Sequence, residues 1–220
     1  MSDSAEGGVL DQNPVRRFFR HVFQERLRRL FPRESRVLDL ECGLGEDAIL
    51  LANQGVVVHA MDPSRESIER ARALAAELGI PEGTLRFERR TTEELADLAP
   101  EAPFDGAYSS LGALEGADLA AVGRGLAGLL RPGAPILLGL AGHPTPRAVR
   151  EAFGSGFRWT HAFGLGILVP GPARAAWVTR WPQLFGLLAA VEGLVRRWPA
   201  LGNIAHVVVL QGVRVAGEPK

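Results

Sequence analysis

Glycines and acidic residues surround two short apolar segments in the first third of the chain. Val37–Leu40 is followed by Gly43 and Gly45, and the residues after this turn have the apolar spacing of a helix. The second apolar segment ends at Asp62, 19 residues after Gly43. Glycines at such a turn let a ligand approach backbone N–H groups and the helix N-terminus, and the acid can accept hydrogen bonds from ribose hydroxyls. This order predicts a βαβ unit that binds a nucleotide-like ligand.

The elements that must position these residues alternate along the chain. Strands are predicted at 37–40, 56–61, 84–88, 104–110 and 135–140, and helices at 15–30, 46–54, 65–78, 117–130 and 147–153, with a helical turn at 93–98. Alternation at this spacing is typical of a parallel sheet with helices on both faces. Two late β segments, within 157–169 and 203–215, flank an apolar helix over 181–198. They predict an antiparallel pair that completes a seven-stranded sheet.

Composition narrows the class of protein. A chain of 220 residues suits one α/β domain, predicted as 14–220 behind a flexible tail, 1–13. The formal net charge is zero, so no overall field favours nucleic acid. The single cysteine, Cys42, excludes an internal disulfide and a cysteine metal cluster. No signal segment opens the chain and no apolar run reaches the ~20 residues of a membrane span, so we predict a cytoplasmic protein.

The first helix, 15–30, combines an apolar stripe with a basic side. Asn13 and Pro14 are suited to its N-terminus, and the basic side carries Arg16, Arg17, Arg20, His21, Arg28 and Arg29. A basic amphipathic helix can lie on a membrane surface or bind a partner protein. Packing at the sheet edge with a solvated arginine face is the simpler interpretation and is favoured. A partner protein bound through this helix stays as the alternative.

Over about residues 34–215 the chain resembles class I S-adenosylmethionine-dependent methyltransferases. The resemblance is carried by VLDLECGLGEDA, VVVHAMDPSRESIERAR, FDGAYSSLGAL and LRPGAPILL, and GLGILVPGP with HVVVLQGV resembles the closing hairpin of a small-molecule branch. It implies a Rossmann-like, seven-stranded, mostly parallel sheet with a C-terminal antiparallel hairpin. It further implies S-adenosyl-L-methionine as cofactor and a small-molecule methyl acceptor.

The resemblance also implies a cofactor site at the carboxyl ends of the strands. Asp62 would accept hydrogen bonds from both ribose hydroxyls, and Ser109 would line the methionine portion and the transfer site. The other implied residues are Glu41, Cys42, Gly43 and Gly45 in the turn, Pro63 and Ser67 against adenine, and Thr91 and Thr92 at the adenine amino group. No metal is expected. No catalytic base is assigned, because Glu115 and His143 are more simply exposed loop residues.

Two residues and one short segment depart from the family pattern. Glu41 stands where the family usually has glycine. Its charge could attract the ammonium or sulfonium group, but an acid there must be desolvated when the ligand arrives, so obstruction is favoured. Thr91 replaces the usual acid, although its hydroxyl can still accept a hydrogen bond. The segment 141–156 is short for the helical lid that relatives often insert there.

These features leave three functions open. Methyl transfer to a small acceptor is the leading hypothesis. A catalytically weakened or inactive binding protein of the same fold agrees with Glu41, Thr91 and the short lid. An NAD(P)-dependent oxidoreductase is third, because residues 43–48 also fit G-x-G-x-x-A, but Asp39 and Glu41 fit a dinucleotide turn poorly. Nucleic-acid methylation is not favoured, since no acidic-Pro-Pro-aromatic tetrapeptide follows the fourth strand.

Overall fold

A computed structural model describes residues 13–81, 83–141, 145–195 and 205–216 of the chain. The predicted tail lies outside this part of the chain except for Asn13, and so do the candidate base His143 and Trp198. Within the described ranges, no helix combines the length and the apolar character needed to cross a lipid bilayer.

Seven strands form one sheet in the order β3-β2-β1-β4-β5-β7-β6. Their bounds are β1 Arg36–Leu40, β2 Val57–Asp62, β3 Leu85–Arg89, β4 Gly106–Ser109, β5 Pro135–Ala141, β6 Phe157–Leu165 and β7 Val207–Arg214. The first five strands pair in parallel, and β7 lies antiparallel between β5 and β6. The predicted seven-stranded, mostly parallel sheet with an antiparallel C-terminal pair is therefore confirmed.

Helices cover both faces of the sheet. The first face carries α1 Pro14–Leu30, α2 Glu46–Asn53, α3 Arg65–Glu77, α6 Ala175–Arg180 and α7 Pro182–Val195. The second face carries a 3₁₀ helix, Thr92–Glu101, with α4 Leu119–Leu129 and α5 Pro146–Phe153. Shorter 3₁₀ turns lie at Gly154–Gly156 and Pro172–Arg174. Each face buries its own apolar cluster, as expected for strands covered on both sides.

Helix α1 packs closely over the first face and uses part of its basic side within the molecule. The side-chain oxygen of Asn13 caps it by accepting from the N–H groups of Val15 and Arg16 at 3.0 and 3.2 Å. Its apolar stripe is buried. The predicted solvated arginine face is exposed at Arg17, Arg28 and Arg29, whereas Arg20 forms an ion pair with Glu46 of α2. Arg26, outside that face, donates to the side chain of Gln211 at 2.7 Å.

The predicted apolar helix 181–198 is observed as α7, with residues 196–198 outside the described part of the chain, and a short helix, α6, precedes it. The chain forms α6 and α7 with a break at Trp181, because Pro182 disfavours helical geometry in the residue before it. Antiparallel pairing of β7 with both neighbours makes β6 run in the same direction as β5. The segment after β6, with α6 and α7, therefore leaves the sheet at the edge where the parallel strands end. Helix α5, in the place of the missing lid, packs on α4 instead.

Candidate functional site

The turn after β1 has left-handed backbone at three of its residues. Glu41, Gly43 and Gly45 have φ angles of 56°, 55° and 73°. A β-carbon on Gly45 would lie 2.5 Å from the ring of Phe87, so only glycine lets the chain pass this ring. Above Gly43, in contrast, no atom lies within 4 Å of the position that a β-carbon would take. The turn is thus tightly packed at Gly45 and open at Gly43.

Glu41 occupies an unfavourable backbone conformation and an acidic surrounding. A left-handed backbone costs a residue other than glycine about 1–2 kcal/mol, which explains the family's preference for glycine at this position. Burial is the main cause that raises the pKa of the Glu41 carboxyl to about 7, and the negative charges of Asp62 and Glu93 contribute to the same rise. The sequence suggested the crowding and the desolvation but not the backbone geometry.

Asp62 joins the end of β2 to the glycine turn. Its two carboxylate oxygens accept hydrogen bonds from the N–H groups of Gly43 and Ser64, each at 2.8 Å. The carboxylate is largely buried, and this burial raises its pKa although the two N–H groups favour the charged form. Each oxygen keeps further acceptor capacity, because a carboxylate oxygen can accept more than one hydrogen bond. Asp62 is therefore both an anchor for the turn and an available acceptor.

The predicted adenine-side residues lie at the same edge, after β2 and β3. Ser67 belongs to the first turn of α3, where its N–H donates to the Ser64 hydroxyl at 3.2 Å. Thr91 precedes the 3₁₀ helix, and its N–H donates to the carboxylate of Glu94 at 2.9 Å. Thr92 is buried, whereas Pro63 is exposed. The structure thus brings these residues to one side of the turn, in positions also explained by helix capping.

Two buried polar atoms near the strand ends have no hydrogen-bond partner within the described residues. They are Oγ of Ser109, at the end of β4, and Oδ1 of Asp39 in β1. The other oxygen of Asp39 accepts from the hydroxyl of Tyr108 at 2.9 Å. Burial raises the pKa of Asp39 well above its usual range, and the nearby charge of Asp47 raises it too. Unpaired buried polar atoms are uncommon, so each of these two indicates a place for a water molecule or a polar ligand group.

Asp47, in the first turn of α2, connects three elements that the sequence did not link. It accepts hydrogen bonds from Gln24 of α1 at 2.7 Å and from the hydroxyl of Ser110 at 2.6 Å. No spacing rule predicts these contacts, because the three residues come from distant parts of the chain. The only indication in the sequence of a role for Asp47 was its position beside Glu46 at the start of the helix after the turn. Together with Asp39, Glu41 and Asp62, Asp47 makes the surroundings of the turn strongly acidic.

Cys42 contributes backbone rather than reactive sulfur. Its N–H donates to the carbonyl of Met61 at 2.9 Å, and its carbonyl accepts from Gly45 at the same distance. Burial raises the pKa of its thiol, so the side chain is a neutral thiol at physiological pH. The residue helps to shape the turn.

A second charged cluster lies on the other face of the sheet. The ring nitrogens of His59 lie 2.9 Å from a carboxylate oxygen of Glu88 and 3.3 Å from one of Glu101. These three residues could each offer a ligand atom to a metal. However, Arg86 contacts both carboxylates at 3.0 Å. The carboxylate oxygens are thus already used by a cation, and we interpret the cluster as a structural ion-pair network.

Comparison with known proteins finds methyltransferases among the similar sequences and structures. Residues 37–133 match a family model described as a methyltransferase domain. The predicted resemblance to class I methyltransferases is thereby confirmed. An S-adenosyl-L-methionine-dependent Diels-Alderase of Talaromyces variabilis is 34% identical over 94 residues, which cover 42% of this chain and 32% of the relative. The chain spans about a third of the length of the curated relatives it matches.

Solved structures share the architecture of this chain at low sequence identity. Magnesium protoporphyrin IX methyltransferase from Synechocystis PCC 6803, solved with bound SAM, has a TM-score of 0.64 at 17% identity, and the match covers 94% of this chain and 84% of that one. The [4+2]-cyclase SpnF has a TM-score of 0.63 at 16% identity, with 88% and 81% covered. At these identities the comparisons establish the fold.

Proposed function

We propose that the chain binds S-adenosylmethionine around the turn 41–45 and catalyses methyl transfer to a small, apolar or aromatic acceptor. The observation that supports this most directly is the acidic character of the site. The hydrogen-bonded carboxylates of Asp47 and Asp62 lie beside the turn, whereas burial favours the neutral acids of Asp39 and Glu41. S-adenosylmethionine carries a sulfonium and an ammonium group, so acidic surroundings attract it.

The same charges argue against a dinucleotide. A dinucleotide places its pyrophosphate against the glycine turn and the following helix N-terminus. Here the first turn of α2 begins with Glu46 and Asp47, and Glu41 lies in the turn itself. Anionic phosphates would meet the carboxylate of Asp47 there, while Glu46 is paired with Arg20 and adds little repulsion. The nicotinamide alternative is therefore disfavoured on electrostatic grounds.

The residues around the turn fit this cofactor. Asp62 would accept hydrogen bonds from the ribose hydroxyls with the acceptor capacity that Gly43 and Ser64 leave free. The unpaired hydroxyl of Ser109, at the end of β4, would pair with a polar atom of the methionine portion. The open space above Gly43 admits the cofactor against the backbone. When bound, the cofactor supplies a methyl group already activated by positive sulfur.

The acceptor side of the site is apolar. Leu111 follows β4 and is half-buried, and Ala141 ends β5 beside it. Both pack against the cluster that α1, α6 and α7 cover. A wall of this kind favours an apolar or aromatic acceptor. Methyl transfer depends chiefly on positioning, so this wall and the hydroxyl of Ser110 would orient the acceptor.

A second candidate is a cyclisation reaction that uses the cofactor site without methyl transfer. Two similar proteins, the Diels-Alderase of T. variabilis and the [4+2]-cyclase SpnF, carry names of this kind. An apolar cavity that holds a flexible substrate in a folded conformation would serve such a reaction. The presence of Glu41, where the family usually has glycine, agrees with a protein that keeps the methyltransferase fold but has weakened methyl transfer.

Calorimetry followed by product analysis tests the proposal. We expect S-adenosylmethionine and S-adenosylhomocysteine to bind and NADH to give no binding signal. Incubation with small aromatic and apolar acceptors should then produce S-adenosylhomocysteine, detected by mass spectrometry. Cofactor binding with cyclised products and no S-adenosylhomocysteine would favour the second candidate. Absence of cofactor binding by the folded protein would contradict both.

Replacing Glu41 by glycine is expected to stabilise the protein and tighten cofactor binding. Glycine adopts the observed φ of 56° without strain. This relief exceeds the 0.5–1 kcal/mol that glycine costs through the unfolded chain, so the free energy of unfolding should rise by about 1 kcal/mol. The change also removes a carboxyl group that the ligand would desolvate. Urea unfolding and calorimetric titration with S-adenosylmethionine measure the two effects.

The effect of Glu41→Gly should depend on pH. The folded state raises the pKa of Glu41 from 4.5 to about 7, so the folded protein holds this proton more tightly than the unfolded chain. The resulting stability is present at low pH and is lost as the pH rises through about 7. The variant's advantage should therefore grow between pH 5 and pH 8. Glu34→Gly is the matched control, because Glu34 is also left-handed, with φ 67°, but is exposed and outside the site. Weaker cofactor binding by Glu41→Gly at preserved stability would show that the carboxylate attracts the ligand.

A further inference from the structure

Helix α7 presents an outer face that is almost entirely apolar. Within the described residues, seven large hydrophobic side chains are exposed, and four of them form this face. The α7 outer face consists of Trp181, Leu184, Leu187 and Val191, with exposures of 53%, 42%, 61% and 36%. A surface helix normally places polar side chains toward water. An apolar face of this size indicates an interaction surface.

The helix behind this face is firmly held. The carboxylate of Glu192 is fully buried and accepts hydrogen bonds from four consecutive N–H groups, those of residues 166–169, at 2.5 to 3.0 Å. The ring of Phe185 packs edge-on against Phe18 of α1, with centroids 6.0 Å apart. The loop that Glu192 binds, residues 166–169, also exposes the side chain of Leu168 next to the end of α7. The outer face is therefore part of an ordered surface.

Exposed arginines precede the α7 outer face, and no exposed acid interrupts it in the part of the chain that the structure describes. Arg174 and Arg180 precede it and are exposed, and the sequence continues beyond α7 with Arg196, Arg197 and Trp198. From 173 to 198 the only acid is Glu192, which is buried. The whole chain has no net charge, so this concentration of cations is a local feature. Apolar side chains with flanking arginine and tryptophan are typical of helices that lie in a membrane interface.

We propose that the α7 outer face binds the surface of an anionic lipid bilayer, with the helix parallel to the membrane plane. The leucines and Trp181 would enter the boundary of the acyl chains while the arginines contact anionic headgroups. The 14 described residues of α7 are fewer than the ~20 that a crossing helix needs, which agrees with a helix that lies in the membrane plane. The proposal does not depend on the proposed methyltransferase activity.

Pairing with a second copy of the chain is the main competing use of this face. A symmetric dimer places the same patch on both subunits. Within the described residues the α7 outer face carries no exposed acid, so a second copy would offer no partner for the exposed Arg174 and Arg180. Cations without an acidic partner do not favour such an interface, whereas anionic headgroups complement them.

Flotation with lipid vesicles tests the proposal on the full chain. The probes are vesicles of phosphatidylcholine alone and of phosphatidylcholine with about one third phosphatidylglycerol. The wild type should float with the anionic vesicles. Leu187→Glu should lower partitioning at least about tenfold, because it places a carboxylate in the apolar face. Leu78→Glu is the matched control: Leu78 is 55% exposed at the end of α3, and its variant should bind as the wild type does.

Charge is tested separately. Arg180→Gln should lower binding to anionic vesicles by about fivefold and leave the weak binding to neutral vesicles unchanged. Circular dichroism confirms that each variant is folded. Failure of the wild type to float with anionic vesicles would overturn the proposal. So would equal binding of wild type and Leu187→Glu. A concentration-dependent dimer that Leu187→Glu dissociates, without vesicle binding, would assign the face to a second copy.

Discussion

Asp62→Ala will weaken the binding of S-adenosylmethionine about 100-fold. The alanine removes the charged acceptor proposed for both ribose hydroxyls, and each hydrogen bond to a charged group contributes roughly 1.5–3 kcal/mol. It also removes the carboxylate that accepts the N–H groups of Gly43 and Ser64, so the glycine turn loses its link to β2. Calorimetric titration of the folded variant measures the change in Kd.

A control at the opposite edge of the sheet separates binding from general destabilisation. Asp105 also uses both carboxylate oxygens, accepting from the N–H of Arg36 at 2.8 Å and from the guanidinium of Arg131 at 2.6 Å. Asp105→Ala should lower the melting temperature but leave the Kd for S-adenosylmethionine unchanged. An affinity of Asp62→Ala equal to that of wild type would remove Asp62 from the proposed site.

Glu192→Ala will lower the free energy of unfolding by at least about 3 kcal/mol. The variant leaves four N–H groups of the loop after β6 without their acceptor, and leaving buried donors unpaired costs about 1–3 kcal/mol for each group. Water entering the opened site would satisfy some of them, so the sum of four is an upper bound. Urea unfolding at neutral pH measures the loss.

Glu151→Ala is the control for this change. Glu151 pairs with Arg147 one turn earlier on α5, and 65% of its side chain is exposed. Exposed pairs of this kind contribute less than about 1 kcal/mol, so this variant should unfold nearly as the wild type does. If Glu192→Ala lost no more stability than Glu151→Ala, the carboxylate could not be the anchor of α7.

The part of the site that the sequence predicted is the part built from neighbouring residues. The turn 41–45 and Asp62 were placed by a local order of strand, glycine turn, helix and acid. Strand ends in a parallel sheet lie at one edge, so the positions of Ser67, Thr91 and Ser109 relative to the turn followed from the strand order. Their roles toward the cofactor remain predictions.

The contacts that the sequence could not predict join distant parts of the chain. Tyr108 and Asp39 are 69 residues apart, and Ser110 and Asp47 are 63 apart. Gln24 reaches Asp47 only because α1 packs over α2. Such contacts depend on how helices dock on the sheet, which no periodicity reports.

Sequence by itself determined the order of the strands along the chain, the glycine turn and the acid that follows β2. These features come from hydrophobic period and turn chemistry, which act over a few residues. Tertiary structure alone decided that Glu41 is left-handed, that Glu192 is buried against the loop after β6, and that α7 turns an apolar face outward. An apolar helix has the same sequence pattern whether one or both of its sides are covered by the rest of the protein. Which side stays uncovered is set by the packing of the rest of the chain against it.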